Sequence, residues 1–248
     1  METSWENSHS WYDKTVGEKG HYYHQSVIFP KTLNLLKLKK GDKLLDLACG
    51  QGVLARQLPP QVGYLGVDAS SSLIKQAKGY SNSHAFILGD VTQEIKTPEK
   101  DFSHATVILA LQNIEQPDLV LKNANLLLKP QGKLLIVLNH PCFRIPRQSS
   151  WGVDEPKKLQ YRRIDRYLSP LKIPIQTHPG KQQASQETWS FHHPLSDYTR
   201  FLKEAGFGIE LIEEWVSDKT STGGHAKMEN RSRAEFPLFL AILSYKLI

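Results

Sequence analysis

Three aspartates, Asp46, Asp68 and Asp90, each close a short apolar run, and the first stands four residues ahead of a pair of glycines, Gly50 and Gly52. The surrounding stretch, KLLDLACGQGVLARQL from Lys43 to Leu58, reads as a buried strand, a glycine turn and the start of a helix. Such a turn brings backbone N–H groups close to a ligand, because glycine has no side chain in the way. Ala48, Gly50 and Gly52 are the residues expected to allow that approach. Asp68, in GYLGVDAS and followed by Ala69, sits where a carboxylate accepts hydrogen bonds from both ribose hydroxyls. Asp90, in LGDV and followed by Val91, ends the third of these runs. Two cofactor classes use this geometry. Gly50-x-Gly52-x-x-Ala55 satisfies the dinucleotide fingerprint formally. Asp46 separates the two: a carboxylate beside the turn repels a diphosphate and favours a positively charged nucleoside. The plainer role for each acid is to cap its own turn.

The D-x-x-C-G-x-G pattern of Asp46 to Gly52 resembles motif I of the class I S-adenosylmethionine (SAM)-dependent methyltransferases. SAM carries a sulfonium and an ammonium group, so Asp46 is assigned to its methionine end, through water or backbone. Three further stretches, WYDKTVGEKGHYYHQ, NHPCF and HHPLSDYTRFLKEAGF, resemble a bacterial branch of these enzymes thought to act on small molecules. The resemblance covers most of residues 10–145 and 190–248. It implies that an N-terminal aromatic and histidine element, with Tyr12 and His24, folds over the cofactor. It implies too that Asp90 accepts from the adenine amino group, with Val91 offering a backbone N–H and apolar contact, and that the turn at Ala110 and Leu111 faces the methionine moiety, with Gln112 or Asn113 toward the substrate. The chain departs from that branch at His193-Pro194, where an Arg-Pro pair is usual.

The elements that must position these residues follow from the apolar pattern. Strands are expected near 44–47, 62–67, 85–88, 104–111 and 133–138, with helices at 27–38, 53–58, 70–78 and 118–128 between and before them. That alternation predicts an α/β fold, a parallel sheet with helices on both faces, whose strand ends line one crevice. A helix over 195–205 and strands at 209–216 and 236–247 follow, joined by a basic, polar segment at 217–235. By resemblance the last strand inserts antiparallel, completing a Rossmann-like seven-stranded methyltransferase sheet. The expected division is an N-terminal cap at 1–40, a SAM-binding core at 41–140, an inserted substrate lid at 141–193, and a helix and strand hairpin at 194–248.

Residues 141–193 are Pro-rich and carry nine Lys or Arg against four Asp or Glu. A loop so long within a domain is usually functional. Arg144, Arg147, Arg162, Arg163 and Arg166 could clamp an anionic acceptor, or simply form a solvated basic face. His140, leaving the fifth strand, is the candidate base or substrate orienter, against the plainer role of a histidine bonded to backbone. His24, His192 and His193 fall near the same crevice. The spacing of His140, Cys142, His192 and His193 matches no metal-ligand pattern.

The chain has 248 residues, a formal net charge of +6 and two cysteines. It has no run of 18 apolar residues and no apolar core of a signal peptide at Met1 to Lys14, so a cytoplasmic enzyme is expected. The expected activity is methyl transfer from SAM to a small molecule, anionic or aromatic. The rivals are an RNA or protein methyltransferase that uses the basic surface, and a SAM-binding protein without turnover.

Overall fold

The computed structural model describes residues 6, 16–81, 83–176 and 187–248. The core strands are β1 (Lys43–Leu47), β2 (Gly63–Asp68), β3 (Ala85–Leu88), β4 (Phe102–Ile108) and β5 (Leu128–Asn139). Two hairpins follow, β6 (Ser149–Asp154) with β7 (Leu159–Ile164), and β8 (Leu171–Gln176) with β9 (Glu187–His192). The chain then returns to the sheet as β10 (Phe207–Trp215) and β11 (Phe239–Lys246). The seven-stranded sheet runs β10-β11-β5-β4-β1-β2-β3, with β11 antiparallel between β5 and β10 and the other core pairs parallel. This is the Rossmann-like methyltransferase arrangement.

The sequence forms these strands because most are covered on both faces. Leu45, Leu47, Val67 and Val107 pack on one side with α3 (Pro117–Leu127) and α4 (Leu195–Glu204). Leu44, Tyr64, Phe86 and Val137 pack on the other with α1 (Phe29–Leu36) and α2 (Ser71–Tyr80). Strands buried on both faces read as continuous apolar runs, which is why they were visible in the sequence. Strand order reverses at β1, which has β2 on one side and β4 on the other, and the crevice beyond its carboxyl end is the usual ligand position in such sheets.

Three expectations change. The helix expected at 53–58 is only a single 3-10 turn, Ala55–Gln57. Ala48, Gly50 and Gly52 all take positive φ (57°, 55° and 70°), so the chain is still curling where the helix would start, and Pro59 and Pro60 end it soon after. The insertion is not an open loop but carries the two hairpins. The segment at 217–235 contains a helix, α5 (Ala226–Glu235), that buries only Met228 and Ser232.

Candidate active site

A cavity of about 890 Å³ opens beyond the carboxyl ends of β1, β2 and β4. Of the expected site residues, His24, Ala48, Gly50, Asp68, Ala69, Asp90, Val91 and Ala110 line it together. Tyr12 lies outside the described residues.

Asp68 ties the glycine turn to the end of β2. Its Oδ2 accepts the N–H of Gly50 at 2.8 Å and its Oδ1 the N–H of Ser70 at 2.9 Å. Burial raises its pKa, and the N–H groups of Ser70, Gly50 and Ala69 oppose the rise. A carboxylate has about four acceptor positions, so three backbone donors leave capacity for a ligand hydroxyl. Asp90 accepts the N–H and hydroxyl of Thr92, at 2.9 and 2.7 Å, both on Oδ1. No hydrogen bond to Oδ2 is made among the described residues, and Asp90 lines the cavity. The strained Leu109, at φ 52°, and Gln112 complete this wall. Gln112 donates to the Leu109 carbonyl at 2.8 Å, while its buried Oε1 has no partner among the described residues. A diol acceptor, an amine acceptor, a bare glycine turn and an unpaired amide oxygen fit a nucleoside with an amino-acid tail. Arg56, whose Nη1 donates to the Gln51 carbonyl of the turn at 2.7 Å, is not among the residues that line the cavity, and the Asp46 anion lies beneath the turn.

Asp46 does not line the cavity. It accepts the hydroxyls of Tyr64 and Thr106, each at 2.8 Å, and is 4% exposed. Desolvation pushes its pKa up to about 6 despite those bonds, with the Asp68 charge adding to the rise. It acts on a ligand only through its field. Gly52 is also set back. A Cβ there would meet the Phe86 ring at 2.6 Å, so the glycine serves packing, not ligand approach. Leu111 is 1% exposed and belongs to the core beneath the β4 turn.

His140 is the main correction. It is 1% exposed and absent from the cavity wall. Its Nδ1 accepts the N–H of Cys142 at 3.2 Å, and its Nε2 faces Glu214 Oε1 at 2.7 Å. Both ring nitrogens are used, and burial lowers its pKa, with Glu214 opposing the shift. So placed, it holds a turn away from the cavity wall. His192 and His193 are likewise engaged, with the Tyr167 carbonyl at 2.6 Å and Asp197 at 3.4 Å. Among the described residues no three His, Cys, Asp or Glu side chains converge on a metal position.

The structure adds residues that the sequence did not single out. The hairpin β8–β9 supplies Lys172, Ile175, Trp189, Ser190 and Phe191 to one wall. Glu6 accepts the hydroxyls of Ser70 and Ser72 at 2.6 Å and of Ser71 at 3.1 Å, beside Asp68. The Ser70 and Ser72 bonds hold its pKa down to about 2. His21 and Tyr23 join His24, already expected there, in closing the cavity from the N-terminal side. His24 stacks on Phe29 and its Nδ1 accepts the N–H of His21 at 3.1 Å. Burial and His21 lower its pKa to about 4, so the ring is neutral and Nε2 carries the proton.

A methyltransferase-domain family model matches residues 38–149, which hold the glycine turn and all three acids. The ubiquinone biosynthesis O-methyltransferase of Coxiella burnetii is 34% identical over 165 residues, 64% of this chain and 70% of that protein. The chain belongs to the SAM-dependent methyltransferases. An uncharacterized methyltransferase of Schizosaccharomyces pombe is 28% identical to this methyltransferase over 203 residues, 77% of this chain and 70% of that one. The crystal structure of a SAM-dependent methyltransferase from Mesorhizobium loti superposes with a TM-score of 0.66 at 22% identity, covering 87% of this chain and 96% of that one. In this methyltransferase, as in its family, SAM is the methyl donor.

Proposed function

We propose that this methyltransferase methylates a small molecule held between the glycine turn and the hairpin β8–β9. The observation that carries the proposal is the single continuous cavity of about 890 Å³, which runs from Asp68 and Asp90 to the rings of Trp189 and Phe239. Pockets for one drug-sized ligand run about 300–1,000 Å³. The cavity stands near the top of that range, which suits a nucleoside cofactor beside a compact acceptor. Three cations of the basic insertion, Lys157, Arg163 and Lys172, pair with Asp154, Asp165 and Glu115.

SAM supplies a methyl group already activated on a sulfonium. The protein's part is to bind, align and exclude water. Asp68 would accept the ribose hydroxyls, Asp90 Oδ2 the adenine amine, and Gln112 Oε1 an N–H of the amino-acid end. Trp189, Phe191 and Phe239 would hold the acceptor and keep water from the reacting atoms. His24, neutral and protonated on Nε2, is a hydrogen-bond donor and not a base. The acceptor atom therefore arrives deprotonated or gives its proton to solvent.

Release of S-adenosylhomocysteine (SAH) from SAM tests the proposal, with a panel of phenols and aromatic acids on one side and total RNA on the other. Turnover with a small molecule and none with RNA is expected. Turnover with RNA alone would overturn it.

A further inference from the structure

Arg144 stands on the cavity wall without a counter-ion. Its Nη1 donates to Asn139 Oδ1 at 2.9 Å, and its guanidinium lies 5.6 Å from the centre of the Phe239 ring. No carboxylate lies within ion-pair distance of it among the described residues. The other insertion arginines differ. Arg163 is paired with Asp165 at 2.6 Å, and Arg162 is spent on the Phe143 carbonyl and Ser149 Oγ, at 2.7 and 2.8 Å. Arg144 alone of the five faces the cavity.

Its position is built. The Arg144 N–H donates to the His140 carbonyl at 2.8 Å, and His140 is itself clamped by Glu214 and Cys142. Asn139 and Phe239 are register partners on β5 and β11. The amide that grips Arg144 and the ring that it rests on are thus set by the central sheet. Burial and the nearby Arg162 charge both disfavour the Arg144 cation. An arginine does not lose its proton in a protein, so a half-buried, uncompensated guanidinium is a standing cost that an anion relieves.

We infer that Arg144, gripped by Asn139 and resting on Phe239, is a carboxylate subsite, so that the acceptor is a ring compound bearing a carboxylate. The inference rests on the cavity being the acceptor site. A carboxylate fits better than a phosphate. One guanidinium balances one negative charge, its Nε and Nη2 make no hydrogen bond among the described residues, and Lys172, the other Lys or Arg among the described lining residues, is taken by Glu115 at 3.2 Å. Trp189 and Phe191 on the opposite wall account for the ring.

Titration of the SAH-loaded protein with benzoate, benzamide and phenyl phosphate tests it, in wild type, Arg144→Gln and Arg144→Lys. Wild type is expected to prefer benzoate over benzamide by about tenfold or more, the size of one charge-assisted contact. Arg144→Gln abolishes that preference, and Arg144→Lys keeps part of it, because lysine retains the charge without the fork. SAH affinity stays within about twofold in both variants, since no cofactor contact is assigned to Arg144. Equal binding of benzoate and benzamide, no benzoate binding, or tighter binding of phenyl phosphate overturns the inference. So does a preference that survives in Arg144→Gln. If that variant loses SAH binding, the wild-type ratio and Arg144→Lys decide. Failure of wild type to bind SAH instead removes the methyl-donor reading, a separate outcome.

Discussion

Asp46 is buried, ionisable and without a cationic partner among the described residues, and a charge so placed makes stability depend on pH. Its folded pKa is raised to about 6 from an ordinary value of 3.8, so between those values the native state holds more protons than the unfolded chain. Its contribution to stability is full below the unfolded value and is lost as pH rises through about 6. The penalty above that window is on the order of 3 kcal/mol. Asp46→Asn should therefore gain on wild type as pH rises from about 4 to 6 and run parallel above it, as read by urea unfolding. A pH-independent difference would show that Asp46 ionises normally. The same change should narrow the preference for SAM over uncharged SAH by roughly fivefold, about 1 kcal/mol of field from a unit charge. His140 makes the opposite point. Its type and place after a strand suggested acid–base chemistry, but its partner Glu214 lies 74 residues away and nothing local announces it. His140→Ala should cost about 1–3 kcal/mol by leaving the Cys142 N–H unpaired and emptying the space of a buried ring, with SAH affinity unchanged, since Glu214 is exposed to water. Lost SAH binding without lost stability would restore His140 to the site. The acids at strand ends were legible because an aspartate closing an apolar run is rare without a reason. Arg144 was legible only as one of five, since pairing decides which arginine is free.

At the scale of elements, the glycine turn does its work through what it packs against. Gly52 takes φ 70° and leaves no room for a Cβ beside Phe86 on β3. Gly52→Ala should thus cost at least about 2 kcal/mol, from a left-handed backbone and an overpacked core. A shift of the thermal midpoint within error would contradict that packing. The hairpin β8–β9 makes the acceptor wall. Trp189→Ala should weaken aromatic acceptors or benzoate by about tenfold while SAH affinity holds, as calorimetry would read. Equal losses for both ligands would put Trp189 at the cofactor instead. These hairpins were hidden in the sequence because their alternation is broken. Pro174 pairs with Trp189 inside β8–β9, and Gly152 on β6 lies under the Tyr161 ring. Helix α5 was hidden because it is polar nearly all round and buries only Met228 and Ser232. The core strands stood out for the opposite reason, being apolar on both faces.

For the whole molecule, the order β10-β11-β5-β4-β1-β2-β3 brings to one crevice residues that are far apart in the chain. His24, Asp68, Asp90, Arg144 and Trp189 meet there although they span most of the sequence. Alternating strands and helices announced that edge, whereas the walls above it depend on hairpin pairing that no local pattern fixes. Everything assigned to the cavity hangs on a cationic nucleoside seated at the Gly50 turn with its ribose on Asp68. Calorimetric titration of wild type and Asp68→Ala with SAM measures this most directly. Wild type should bind one equivalent, and the variant should lose about a hundredfold or more in affinity, the worth of two hydrogen bonds to a charged group at about 1.5–3 kcal/mol each. Equal affinity in the two proteins would contradict the placement of the ribose on Asp68, and with it the cofactor end of the cavity.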